Sequence, residues 1–244
     1  MSIRTYKANY ALNRLKENSV GPIKRYLGAD KKICHMKYGI QCWTMSPDSY
    51  VREAISNVEV LMEHDGKKKR KAMSPFPNTN HNPELDTSLL LGAPVMSRYQ
   101  QLIGILSWSC ELDRLDILLE VLLLSAFIAA PREGHLNELH NTFSYLKTHS
   151  SCSIAFDPKL PNYDVEIFES KGWEESYEVA DESVPSNAPE PRGQPMKMTC
   201  LVDASHASNK VTYRSHAGIY ILLKNAPVVW HSKRQNPLES STFG

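Results

Sequence analysis

Three short runs of β-forming residues close the chain, and the few turn residues between them restrict this region to a small antiparallel sheet. Met198-Thr199-Cys200-Leu201-Val202-Asp203-Ala204 comes first, and Ser215-His216-Ala217-Gly218-Ile219-Tyr220-Ile221-Leu222-Leu223 second. Ala226-Pro227-Val228-Val229-Trp230-His231-Ser232 is the third. Consecutive strands joined by short turns normally lie side by side. A three-stranded meander is therefore expected over residues 197–204, 215–224 and 227–232. Alternation in the first run puts Cys200 and Val202 on one face and Thr199, Leu201 and Asp203 on the other. An acid near the end of such a run is a turn former, a helix cap or a metal ligand.

The rest of the composition is that of a globular protein. Hydrophobic residues make up 41% and charged residues 23% of the 244, which excludes global disorder. A net charge of +1 means that any nucleic-acid role must rest on local features. Cys34, Cys42, Cys110, Cys152 and Cys200 are irregularly spaced with no CxxC pair, so neither a zinc site nor a disulfide framework is indicated. Reduced thiols in an intracellular protein, cytoplasmic or nuclear, are the expectation. The first residues lack the apolar core of a signal peptide. The most apolar run, 117–130, is too short to span a membrane and carries Glu120, so no membrane partner is expected.

Upstream of the terminal runs, residues 6–16 read as an amphipathic helix stopped by Gly21-Pro22. Strands are expected over 25–30, 33–37 and 40–45, with Tyr38-Gly39 as a hairpin turn. Ser46 is placed to cap a helix whose first turn holds Pro47, and Val51, Ala54, Ile55, Val58, Leu61 and Met62 recur at helical spacing up to Gly66. The basic run Lys67-Lys68-Lys69-Arg70-Lys71 reads first as a solvated loop, with a localisation signal or phosphate-binding patch as the alternative. Residues 97–147 predict three helices. One carries Tyr99, Leu102, Ile103 and Leu106; the next starts with Leu115, Leu118, Leu119, Leu122 and Leu123; the last carries Leu136, Leu139, His140, Phe143 and Leu146. A short strand is expected at 153–156. Residues 157–195 are acidic and Pro-rich towards their end, the composition of a linker.

Ordered motifs then point to a family. Val202-Asp203-Ala204 with His206-Ala207, Thr212 with Arg214-Ser215 and Gly218, and Ala226-Pro227 with Trp230 occur in sequence. Ser232-Lys233-Arg234-Gln235-Asn236 and Glu239 with Ser241-Thr242-Phe243-Gly244 follow. Together they resemble the ribonuclease H domain of the Pol polyprotein of copia-type LTR retrotransposons. Further upstream, Arg25-Tyr26-Leu27-Gly28-Ala29-Asp30 and Cys42-Trp43-Thr44-Met45-Ser46 with Tyr50-Val51 resemble the end of that family's reverse transcriptase palm and the start of its thumb. Tyr99-Gln100-Gln101-Leu102-Ile103-Gly104 with Trp108, Arg114-Leu115-Asp116-Ile117 and Pro131-Arg132-Glu133-Gly134-His135-Leu136 resemble its thumb and connection helices.

The resemblance implies an α+β chain in five parts. Residues 1–66 are the end of the palm and start of the thumb, 67–96 a basic, Pro-rich loop, and 97–156 the helical thumb and connection bundle. Residues 157–195 are an acidic linker, and 196–244 an incomplete ribonuclease H-like three-stranded antiparallel sheet. The chain stops where the domain's first long helix is expected.

Ribonuclease H chemistry uses several carboxylates around two divalent ions, Mg²⁺ by preference. Only Asp203 maps onto such a position, as catalytic residue and metal ligand, and Ser205 stands where the family has a second acid. No Asp-Asp pair of the polymerase type occurs in the sequence. The expectation is a retrotransposon Pol fragment that lacks catalytic activity and does not hold Mg²⁺ stably. Its partners would be RNA–DNA hybrid or other nucleic acid, through Lys31, Lys32, Lys233 and Arg234, and the remainder of the Pol polyprotein. The alternatives are a working part of a reverse transcriptase and ribonuclease H polyprotein, and a residual non-specific nucleic-acid-binding module. His206 and His216 lack the partners of a metal site. Trp43, Trp108 and Trp230 read as core or interface anchors in preference to base-stacking platforms.

Overall fold

A computed structural model describes residues 24–64, 71–77, 82–162, 186–189 and 196–236. Within them the chain is α+β, with four α-helices and two antiparallel sheets. It divides into two compact units, one running to Ile154 with the turn Asn209–Thr212 grouped with it, the other built from the remaining residues after it. The helix expected at 6–16, Lys67 to Arg70 of the basic run, most of the acidic tract and residues 237–244 lie outside the described residues.

The first unit opens on a sheet of order β1-β2-β3-β4: β1 Arg25–Tyr26, β2 Ala29–His35, β3 Gln41–Ser46 and β4 Ile154–Ala155. The single strand expected over 25–30 is instead a tight turn between β1 and β2. Leu27 (φ +51°) and Gly28 (φ +99°) take left-handed conformations, and Arg25 folds back opposite Asp30. The Tyr38-Gly39 hairpin is as expected: the Met36 N–H donates to the Ile40 carbonyl at 2.9 Å, and Gly39 has φ +85°.

Helix α1, Asp48–His64, starts where Ser46 Oγ accepts the Asp48 N–H at 3.2 Å. Its stripe Val51, Ala54, Ile55, Val58 and Met62 is buried against α2, Ala93–Leu112, and α4, Glu133–Thr148. From α2, Tyr99, Leu102, Ile103 and Leu106 enter the same core, and from α4 Leu136, Leu139, Phe143 and Leu146. Each such leucine contributes about 1.5–3 kcal/mol when fully buried. The short helix between them, α3, is Leu118–Ser125, preceded by the 3-10 turn Leu115–Ile117. Its core stripe is Ile117, Val121 and Leu124, whereas Leu119 is 49% exposed. The expected leucine set therefore mixed two faces: with Leu at most positions, periodicity does not mark the inner one.

Two polar clasps hold this unit. The Arg114 side chain, 1% exposed, grips Asp116 at 2.6 and 2.9 Å and donates to the His149 carbonyl at the end of α4 at 2.7 Å. The start of α4 is held by the segment Asp86–Leu91. Pro131 O accepts from the Leu91 N–H, the Leu89 carbonyl accepts from the Glu133 N–H, and Ser88 Oγ accepts from the Gly134 N–H at 2.8 Å. Ser88 also donates to Asp86 through its N–H (2.8 Å) and hydroxyl (3.0 Å). His135 is buried, with Nδ1 accepting from the Arg132 N–H at 3.1 Å and Nε2 2.8 Å from the Pro83 carbonyl. That pair of contacts fixes a neutral ring protonated on Nε2.

The second unit carries the meander. Strands β5 Met198–Ser205, β6 His216–Leu223 and β7 Ala226–Arg234 lie in the order β5-β6-β7, with a bulge at Ile221/Leu222. The three runs end within two residues of their expected limits.

Candidate functional site

Directly opposed residues of an antiparallel ladder share a face, so the register maps the site without further assumption. Asp203 faces Gly218, which faces Ser232; the next row on that side is Ser205, His216 and Arg234. Leu201, Tyr220 and Trp230 form the row on the other side of Asp203. Asp203 is exposed, and its Oδ1 accepts the Ala204 N–H at 2.9 Å. Gly218 leaves open space beside it, since a Cβ there would meet nothing within 4 Å.

Lys233 and Arg234 fall in adjacent rows of the ladder. Arg234 lies in the row beside Asp203, while Lys233 faces Ala217 and Ala204 on the opposite side, next to the row His231, Ile219 and Val202. His231, Lys233, Arg234 and Gln235 line a shallow open hollow with Ile219. Both basic side chains thus border this hollow at the end of β7.

Ser205 and His216 have local partners. The Ser205 hydroxyl accepts the His216 N–H at 3.1 Å and donates to Ser208 Oγ at 2.9 Å, and Ser208 Oγ lies 2.7 Å from His216 Nδ1. These contacts tie the turn after β5, where Ala207 takes φ +45° and donates its N–H to Ser215 Oγ. Ser208 was not singled out from the sequence; a Ser within a Ser/Asn-rich turn was the available signal. Asp203 is the only carboxylate on the three strands, and no group of three or more His, Cys, Asp or Glu gathers to hold a metal among the described residues. Among the described residues the donor set does not fit a two-metal centre, which needs several carboxylates fixed around both ions.

Lys31 and Lys32 are on β2 in the first unit, on alternate faces. Lys31 faces Met45 and sets its ammonium 5.2 Å over the Tyr26 ring; Lys32 faces Thr44. On the Lys31 side, Ile33 faces Trp43, and these are 54% and 50% exposed. Trp108 is 41% exposed. Both are partly open to solvent, so of the expected core or interface roles a fully buried core position is the one they do not take.

No helix among the described residues is long and apolar enough to cross a membrane. No family model matches the chain, and no solved structure does. Among curated proteins, it is similar to the putative transposon Ty5-1 protein of Saccharomyces cerevisiae, at 24% identity over 194 residues. That alignment covers 78% of the chain and 48% of the yeast protein, so the chain spans about half the length of the curated relative it matches. The similarity relates the chain to a transposon protein.

Proposed function

We propose that the chain is a retrotransposon Pol-derived protein, with thumb and connection elements in its first unit and a ribonuclease H-like sheet in its second. As the 244-residue polypeptide it has neither polymerase nor nuclease activity. The observation that carries this reading is the row through Asp203. Of the family-like motifs, Val202-Asp203-Ala204, Gly218 and Trp230 with Ser232-Lys233-Arg234 fall on three adjacent strands in register, yet the row offers Asp203, Gly218 and Ser232, a single acid. One carboxylate does not fix two ions, so Mg²⁺ is not held and no chemical step is assigned to it. The similarity to a transposon protein supports the derivation. Within a longer polyprotein, further carboxylates would meet Asp203 on the same face, and the sheet would then serve hybrid cleavage.

A second reading is residual nucleic-acid binding, favoured by the exposed Trp43 on the Lys31 face and by Arg234 on the Asp203 side of the terminal sheet. Bases stack on exposed aromatic rings, and phosphates attract Lys and Arg without regard to sequence. Primer-extension and hybrid-cleavage assays with Mg²⁺ test the first reading: no product is expected, and RNA cleavage that disappears in Asp203→Asn would reject it. Gel shifts with RNA–DNA hybrid across a salt series test the second. Binding that weakens with salt and with Arg234→Ala supports it; no binding at low salt removes it.

A further inference from the structure

We propose that Cys34 and Cys42 form a reversible intramolecular disulfide, a redox-controlled staple across the β2–β3 hairpin. The two residues are direct partners in the ladder. Opposed residues have Cα atoms about 4.5–5.5 Å apart, within the range of about 4.4–6.8 Å that a disulfide spans. Their sulfurs already lie 3.3 Å apart, one thiol donating to the other. Side-chain rotation alone brings them to bonding distance, with no change in backbone register.

The surroundings divide the labour between the two thiols. Cys34 is half-buried, with its sulfur 3.9 Å from Met36 Sδ, whereas Cys42 is buried. Cys34 is thus the sulfur an external disulfide reaches, and Cys42 the one that resolves the adduct. The other three cysteines lack this arrangement. Cys110 sits in the helical core, where burial pushes its thiol up to about 12. Burial also raises Cys152. Cys200 faces Ile221 across the sheet.

With oxidised glutathione as oxidant, the Cys34 thiolate attacks one sulfur of the glutathione disulfide and expels one glutathione thiolate. The Cys42 thiolate then attacks Cys34 Sγ of the mixed disulfide and expels the second. Two protein thiols lose their protons and are oxidised by two electrons; one glutathione disulfide is reduced to two glutathione thiols. Excess reduced glutathione runs the exchange backwards. The product closes a small ring around the Tyr38-Gly39 turn and fixes β2 against β3.

The test equilibrates the full chain in reduced and oxidised glutathione at graded ratios, quenches with N-ethylmaleimide and maps the cysteine peptides by mass spectrometry. The expected product is a Cys34–Cys42 linked peptide, lighter by two hydrogens, that disappears on return to excess reduced glutathione. In Cys42→Ser, Cys34 should instead accumulate as its glutathione adduct, because nothing resolves it. Two results would overturn the proposal. One is wild-type Cys34 and Cys42 both remaining alkylatable at the most oxidising ratio; the other is a stable Cys34–glutathione adduct in the wild type, as in Cys42→Ser.

Discussion

Replacing Gly134 by Ala should destabilise the first unit, whereas the same replacement at Gly104 should stabilise it. A Cβ on Gly134 would sit 2.1 Å from Asp86 Oδ2, 2.6 Å from its Cγ and 2.9 Å from Oδ1. The Asp86 carboxylate must move, and in moving it gives up the Ser88 N–H and hydroxyl. Hydrogen bonds to a charged group contribute about 1.5–3 kcal/mol each. Water recovers part of that, and Ala gains up to about 1 kcal/mol over Gly in a helix. The net loss is about 1–4 kcal/mol. Gly104 is exposed inside α2 with nothing within 4 Å of its would-be Cβ, so Gly104→Ala should gain about 0.5–1 kcal/mol. Urea titration followed by far-UV circular dichroism reads both, because all four helices of the described residues belong to the first unit. In an Asp86→Ala background Gly134→Ala should become nearly neutral, so the coupling between the two positions equals the loss itself. A Gly134→Ala loss that persists unchanged in that background would refute the clash.

Arg114→Met removes the donors to Asp116 and the His149 carbonyl, and because Asp116 is partly exposed to water it should cost about 1.5–3 kcal/mol in the same titration. Tyr99→Phe leaves the Leu124 carbonyl without the 2.8 Å donor it has now, at a cost of about 1–3 kcal/mol in the urea midpoint. Burial, the largest influence, holds His135 below its ordinary value. Its contribution is fully present above pH 6.5 and is lost as pH falls through the lower folded value, so the urea midpoint should fall on the acid side, and less so in His135→Asn. Asp113 has the opposite sign: burial raises it to about 7 even though its Oδ2 accepts the Ile154 N–H at 2.6 Å. Stability from its protonated form is complete below pH 3.8 and lost as pH rises through about 7, so Asp113→Asn should flatten that part of the pH profile.

Local chemistry made most of the elements legible. Tyr38-Gly39 marked the hairpin, Ser46-Pro47 the start of α1, and the stripe Tyr99, Leu102, Ile103 and Leu106 the inner face of α2. Alternation alone put Asp203 on the side of Leu201, where the register has it. What was not legible depends on long-range fit. The turn at Leu27-Gly28 uses a left-handed leucine, which sequence does not advertise. The space shared by Asp86 and Gly134, and the grip of Arg114 on the end of α4, join segments far apart in the chain. Cys34 and Cys42 match no spacing motif and become a pair only once the hairpin register is fixed. Lys233 and Arg234 were named from the sequence, but the hollow they border with Ile219 and His231 needs two strands in register.

We propose that Asp203 alone does not assemble a metal centre. This is tested most directly by titrating the 244-residue chain with Mn²⁺ and following paramagnetic broadening of the Asp203, Gly218 and Ser232 amides by NMR. Only weak, non-saturating broadening is expected, little changed by Asp203→Asn. Saturable broadening at micromolar Mn²⁺, centred on this row and abolished by Asp203→Asn, would contradict it.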